Sequence, residues 1–179
     1  MSNIDDFAAS LLEEAKRFLE KAETAPDDVS ASAFLHAALM LAFCALEAHV
    51  NAIADEFADR PELSIHERGL LLEQDVRFES GEFKTGNLRM VRLEDRILFL
   101  HLRFGGKPLD RSAVWWSELA SAVVLRNKLT HPKIVPVITV DSVRRAITAI
   151  ISGIDVLFHA IYRRPFPVAN RGLLSRLAF

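Results

Sequence analysis

Residues 29–58 set the strongest limit on what this chain can fold into. The segment reads as one long helix, rich in Ala and Leu and apolar on nearly every side. A helix with so little polar face belongs in the middle of a bundle. Its alanines allow neighbouring helices to come close. Arg60-Pro61 predicts its end, because the residue before a proline is driven away from helical geometry. His36, Glu47, His49 and Asn51 interrupt the apolar run, which argues against a membrane span.

The flanking sequence supplies partners for such a helix. In residues 4–23, Ile4, Phe7, Leu11, Leu12, Ala15 and Phe18 fall three and four apart, so one face is apolar. Asn3 is the expected cap, Asp5 and Asp6 suit the positive end of the dipole, and Pro26 marks the stop. Residues 91–104, 110–130 and 140–162 show helical spacing too, separated by Gly105-Gly106-Lys107-Pro108 and by the extended stretch around Pro136. Ser64 to Glu73 predicts a short helix, with Ser64 as cap and Glu67 three residues on. Arg77 to Asn87 reads as a loop with at most a small hairpin. The expectation is an all-α fold: a bundle of four long helices with one or two short ones.

Composition narrows the class further. Half of the 179 residues are hydrophobic and 26% are charged, which fits a folded chain and not a disordered one. One domain is expected over residues 1–165, followed by a basic tail over 166–179. The single cysteine, Cys44, excludes an intramolecular disulfide or a cysteine zinc cluster, and is expected to be an inert buried thiol. The Met-Ser-Asn-Ile-Asp-Asp start lacks the basic region of a secretory leader, so a cytoplasmic location is expected. Charge is unevenly spread. Residues 1–60 hold four basic and twelve acidic side chains, net −8; residues 61–179 hold eighteen and twelve, net +6. Positive charge of this kind attracts phosphate backbones, although a solvated surface with a basic tail is the plainer account.

One stretch has chemical meaning: Val124-Leu125-Arg126-Asn127-Lys128-Leu129-Thr130-His131-Pro132. Asn127 and His131 are four apart and share a helix face. Arg126 lies about 140° round from His131, so both can border one groove. Pro132 puts His131 at the helix terminus, where the dipole favours the imidazolium needed for acid–base work. Arg offers a planar, permanent charge to a phosphoryl group, His moves the proton of a hydroxyl, and Asn orients either. RNA brings its own nucleophile in the 2′-hydroxyl, so cleavage needs no metal.

Arg126-Asn127-x-x-x-His131, at the end of a helix in an all-α chain, resembles the R-N-x-x-x-H motif of the HEPN (higher eukaryotes and prokaryotes nucleotide-binding) family. Leu46-Glu47-Ala48-His49-Val50-Asn51 resembles the helix that precedes the motif in many members. The likeness in organisation runs from Ile4 to Tyr162, and its sharp motif spans six residues. The resemblance implies a helical bundle acting as a homodimer, in which two motifs meet to form one metal-independent endoribonuclease site for RNA. It implies no cofactor, a role as toxin or defence nuclease, and an antitoxin protein as a further partner. Arg126 would stabilise the scissile phosphate, His131 would act as acid–base, Asn127 would position them, and Glu47 and Asn51 would support. Toxins of the family paired with a small nucleotidyltransferase often have Tyr two residues after the His; here that residue is Lys133, and the one tyrosine is Tyr162. A non-catalytic RNA- or nucleotide-binding module and a dimeric protein-interaction bundle are the competing readings.

The remaining polar landmarks have plainer accounts. His36, His49, His66, His101 and His159 lack the spacing of metal ligands. Trp115 and Trp116 are expected in core or interface more than as a base-stacking platform. Gly105-Gly106-Lys107 is not a phosphate loop, because no strand precedes it and the spacing is wrong.

Overall fold

The structure, a computed structural model, describes residues 3–179. Met1 and Ser2 lie outside the described residues, as does the Asn3 side chain expected to cap the first helix. The described chain forms six α-helices and one two-stranded sheet. In order these are α1 (Asn3–Glu23), α2 (Asp28–Ala58), α3 (Ile65–Leu71), β1 (Gln74–Glu79), β2 (Glu82–Leu88), α4 (Leu93–Gly105), α5 (Val114–Thr130) and α6 (Val140–Tyr162). A short 3-10 turn follows at Ala169–Arg171. The fold is the helical bundle expected from the periodicity, with four long helices and two shorter ones.

Local chemistry sets the ends. Asp27 caps α2 by accepting from the Ser30 N–H at 2.8 Å. Ser64 and Glu67 form the expected capping box on α3. Thr139 and Ser142 form another on α6. Gly106 ends α4 in the left-handed region at φ 79°, which glycine adopts without a Cβ penalty. α5 starts at Val114 and not at residue 110, because the Asp110 carboxylate accepts from the Ser112 N–H at 2.9 Å and its hydroxyl at 2.6 Å. Side-chain bonds of that kind hold the backbone out of the helix.

α2 sits centrally, packed on α1, α3, α4, α5 and α6. α6 is the second central helix, against α1, α2, α4 and α5. Leu12, Leu39, Leu46, Ile97, Leu119 and Ile150 are fully buried between them. By length and composition α2 and α6 could each cross a membrane; in this fold each buries one side against other helices. Gly105 lies so close to α6 that an added Cβ would sit 3.0 Å from the Ala160 methyl, and this close approach brings α4 against the bundle.

Two regions are more defined than the expected outline. Residues 74–88 form an antiparallel hairpin whose register shifts between Gln74 and Val76, with Phe78 opposite Phe83 and Glu79 opposite Glu82 across the Ser80-Gly81 turn. Both turn residues have positive φ, the geometry that suits a tight hairpin. The residues after Pro165, a basic tail whose Leu173, Leu174, Leu177 and Phe179 suit packing on the body or on a second subunit, pack on the body. Phe166 and Val168 are buried, and Phe179 meets Phe18 edge-on at 5.7 Å. Arg171 and the Arg176 N–H both bond the Glu13 carboxylate, at 2.7 and 2.6 Å. Two of the four C-terminal arginines therefore engage α1.

Candidate functional site

The motif helix α5 lies against α2, and this contact joins residues 79 apart in sequence. Arg126 donates through Nη2 to Glu47 Oε1 at 2.9 Å. Its guanidinium carbon also lies 5.2 Å from the centre of the Phe43 ring. Phe43 and Glu47 sit one turn apart on α2, so a single stripe of that helix fixes the arginine by a cation–π contact and an ion pair. Arg126 retains 25% of its side-chain exposure and Glu47 47%. A pair so open to water is worth about 0–1 kcal/mol and exchanges readily for another anion.

α5 ends as the proline requires. His131 leaves helical geometry at φ −129° and ψ 60°, and its N–H donates to the Asn127 carbonyl at 2.9 Å. The Thr130 hydroxyl donates to the Arg126 carbonyl at 3.1 Å. The Arg126 and Asn127 carbonyls are thus satisfied by hydroxyl and backbone, and the side chains of Asn127 and His131 stay exposed. Among the described residues neither side chain has a hydrogen-bond partner.

Beside this helix end is an open cavity of about 360 Å³. Its lining includes Glu47 and Asn51 from α2 and Arg126 and Asn127 from α5. The structure thus gathers four of the five residues singled out in the sequence. His131 lies at the helix end, outside the lining. Asn51 pairs with a neighbouring helix, α4. Its Oδ1 accepts from Arg96 Nη1 at 2.7 Å.

Arg96 and Glu73 form the floor of the cavity, and the sequence reading missed both. Arg96 Nη1 also reaches Glu73 Oε2 at 3.1 Å, and Nη2 donates to the Leu71 carbonyl at 2.8 Å. Glu73 uses its other oxygen to accept from the Val91 N–H at 3.1 Å. One buried guanidinium thus ties α2, the end of α3, the hairpin base and α4. Burial holds the Arg96 pKa below its usual value, against the pull of Glu73. A signal for it exists. Leu93, Arg96, Ile97 and Leu100 fall on one helical face, and an arginine inside an apolar stripe needs a buried partner.

Cys44 is a correction. It is exposed, not buried, because Cys44, Glu47 and Asn51 share the one α2 stripe that the neighbouring helices leave open. Partial desolvation and the Glu47 carboxylate push its thiol pKa up, so it is not activated. Trp116 is buried, and Trp115 packs on Gly153 of α6. Among the described residues no group of three His, Cys, Asp or Glu side chains is arranged to hold a metal ion. Compared with family models, curated proteins and solved structures, the chain has no match.

Proposed function

We propose that this protein is a metal-independent endoribonuclease of HEPN type, working in the cytoplasm as a homodimer. The observation behind this reading is the state of the α5 terminus. Arg126 is pinned at the cavity rim, while Asn127 and His131 stand exposed and unpaired beside it. A helix end serving only the fold would have no need to leave an Asn and a His free. The adjoining segment supports a second copy over the motif. Ile134, Val135 and Val137 are strongly exposed apolar side chains three to six residues past His131, and Val124 is exposed two turns before it. Clustered apolar exposure of this kind marks a protein contact.

In the proposed reaction the RNA 2′-oxygen attacks the adjacent phosphorus, and its proton passes to the imidazole of one His131. The bond from phosphorus to the 5′-oxygen breaks, and His131 of the second copy returns a proton to that oxygen. The products are a 2′,3′-cyclic phosphate and a 5′-hydroxyl. Arg126 turns from Glu47 to the phosphoryl oxygens as their charge grows, and Asn127 orients the phosphate. Glu47 and Asn51 act as supports: one parks Arg126, the other anchors Arg96.

The second reading is a protein-interaction bundle, with antitoxin-like binding in place of catalysis. The Arg126–Glu47 ion pair is what it expects of the arginine, whereas the free His131 is not. An RNase assay in EDTA separates the readings. Wild-type protein should cleave RNA and leave cyclic phosphate ends. His131→Ala, still folded by circular dichroism, should lose on the order of a hundredfold or more, the usual worth of a general acid–base. Full activity in His131→Ala rules the mechanism out. RNA retention without cleavage, weakened by salt and by Arg126→Ala, moves the protein to the binding class.

A further inference from the structure

A second and larger cavity, of about 960 Å³, opens between the start of α1, the C-terminal half of α2, the end of α6 and the segment after Pro165. It opens largely on the other side of α2 from the motif site. On α2 it takes His49, Ala52, Ile53, Asp55 and Glu56, whereas the motif cavity takes Glu47 and Asn51. At 100° per residue the two sets point on average roughly 150° apart, with Asp55 at the edge nearer the motif site.

Three features of its wall converge on one ligand chemistry. The first is an aromatic surface. Phe158 packs against Tyr162 at 5.2 Å and against Phe166 at 5.0 Å, the rings tilted by 60° and 59°. Arg164 already rests on that surface, its guanidinium carbon 5.6 Å from the Tyr162 ring centre and 5.9 Å from that of Phe158. The rings therefore accept a cation in this fold. The second is charge. Among the described residues, Asp5, Asp6, Asp55 and Glu56 line the cavity against Arg164 and Arg176. Tyr162 feels this field. Desolvation raises its phenol pKa most, and the Glu56 carboxylate that accepts its hydroxyl at 2.5 Å, together with Asp5, raises it further. The third is an orphaned polar atom. His49 is 97% buried, edge-on to Phe166 at 5.1 Å, and its Nε2 has no hydrogen-bond partner. Buried polar atoms are almost always paired, and His49 is one of the residues that line the cavity.

We propose that this cavity binds a small organic cation with an apolar body. The flat body lies on the Phe158 and Tyr162 rings in place of Arg164, the charge faces the acidic rim, and a polar atom of the ligand reaches His49 Nε2. The area and volume suit a small molecule, since ligand pockets commonly hold about 300–1,000 Å³. The excess of carboxylates excludes an anion, and the aromatic wall favours an aryl or alkyl body over a bare metal ion.

The test is a titration of the full chain with benzamidine, followed by amide and imidazole NMR shifts, with benzamide as the neutral isostere and benzoate as the anion. The expected result is saturable binding of benzamidine with shifts at His49 and Tyr162. Benzamide should bind at least about tenfold more weakly, the worth of a cation–π contact and a partly desolvated charge. Glu56→Gln should weaken benzamidine and leave benzamide unchanged, and Ala52→Phe should fill the cavity and abolish both. Equal affinity for the amidine and the amide, retained binding in a folded Ala52→Phe, or no saturable shift at His49 overturns the proposal. If Ala52→Phe does not fold, the Glu56→Gln comparison decides alone.

Discussion

Replacing Arg96 by Met tests whether one buried guanidinium holds the hairpin to the bundle. Arg96 is 5% exposed and spends both terminal nitrogens on Asn51, Glu73 and the Leu71 carbonyl. Methionine fills much the same space and offers none of those donors. The Glu73 carboxylate then stays in a largely enclosed site with only the Val91 N–H for company, and Asn51 loses its partner. Removing one member of a buried charge pair costs about 3–5 kcal/mol, because the remaining charge is left uncompensated. For a chain of this size each kcal/mol is worth about 2–4 °C, so Tm should fall by about 6–20 °C. Urea unfolding followed by circular dichroism gives the free energy, with a two-state transition checked by a second probe. Hydrogen exchange gives the location. The Val91 and Arg89 amides, which bond Glu73, should lose protection before the α1–α2 core does. Arg96→Lys keeps the charge and loses the fork, and should fall between wild type and Arg96→Met. A loss below about 1 kcal/mol in Arg96→Met, or an equal loss of protection everywhere, refutes the idea that this side chain is the anchor.

Two further outcomes follow from buried charge. Glu13 accepts from Lys16, Arg171 and the Arg176 backbone while nearly wholly buried, so Glu13→Gln should cost about 3–5 kcal/mol. Lys16→Met should cost less than about 1.5 kcal/mol in the same denaturation assay, since Glu13 keeps its arginine. Burial lowers the Lys16 pKa, so wild-type stability should rise with pH toward 10.5, and that slope should be missing in Lys16→Met. His49 is held by burial at about 4 against an ordinary 6.5, with Asp5 pulling weakly the other way. Its contribution is complete above pH 6.5 and fades as pH falls toward 4, because only the unfolded chain takes up the proton. The stability gap between wild type and His49→Leu should therefore shift by about 2–3 kcal/mol against wild type between pH 7.5 and 4.5; an unchanged gap contradicts a neutral buried imidazole.

The helices were legible from apolar residues at three- and four-residue spacing, as in α1 and α6, or, in α2, from a long run apolar nearly all round. The hairpin was legible only as a possibility within a loop, and the reason is exposure. From Arg77 to Leu88 nearly every side chain is in solvent, so no period-two burial is imposed on the sequence. What specifies the turn is Ser80-Gly81 alone. In the site, Arg126, Asn127 and His131 could be grouped because they share six residues of one helix. The Glu47–Arg126 pairing could be anticipated because a polar side chain on an apolar helix needs a partner. Asn51 could be noticed for the same reason, but its partner lies 45 residues away on another helix, and spacing says nothing across such a gap. Cys44 was misjudged because an almost wholly apolar helix hides which stripe its neighbours fail to cover.

The clasp between α1 and the C-terminal segment also orders events in time. The Arg171 and Arg176 groups that bond Glu13 are added to the growing chain 158 and 163 residues after it. Until then a nascent chain presents Glu13 and Lys16 on a helix face that must be dry in the finished protein. α1 can associate with α2 during synthesis, since the two are adjacent in the chain, but that face stays wet until the segment 171–176 has followed. A chain cut anywhere between α1 and Arg171 keeps the helices before the cut and leaves the first of them unsealed.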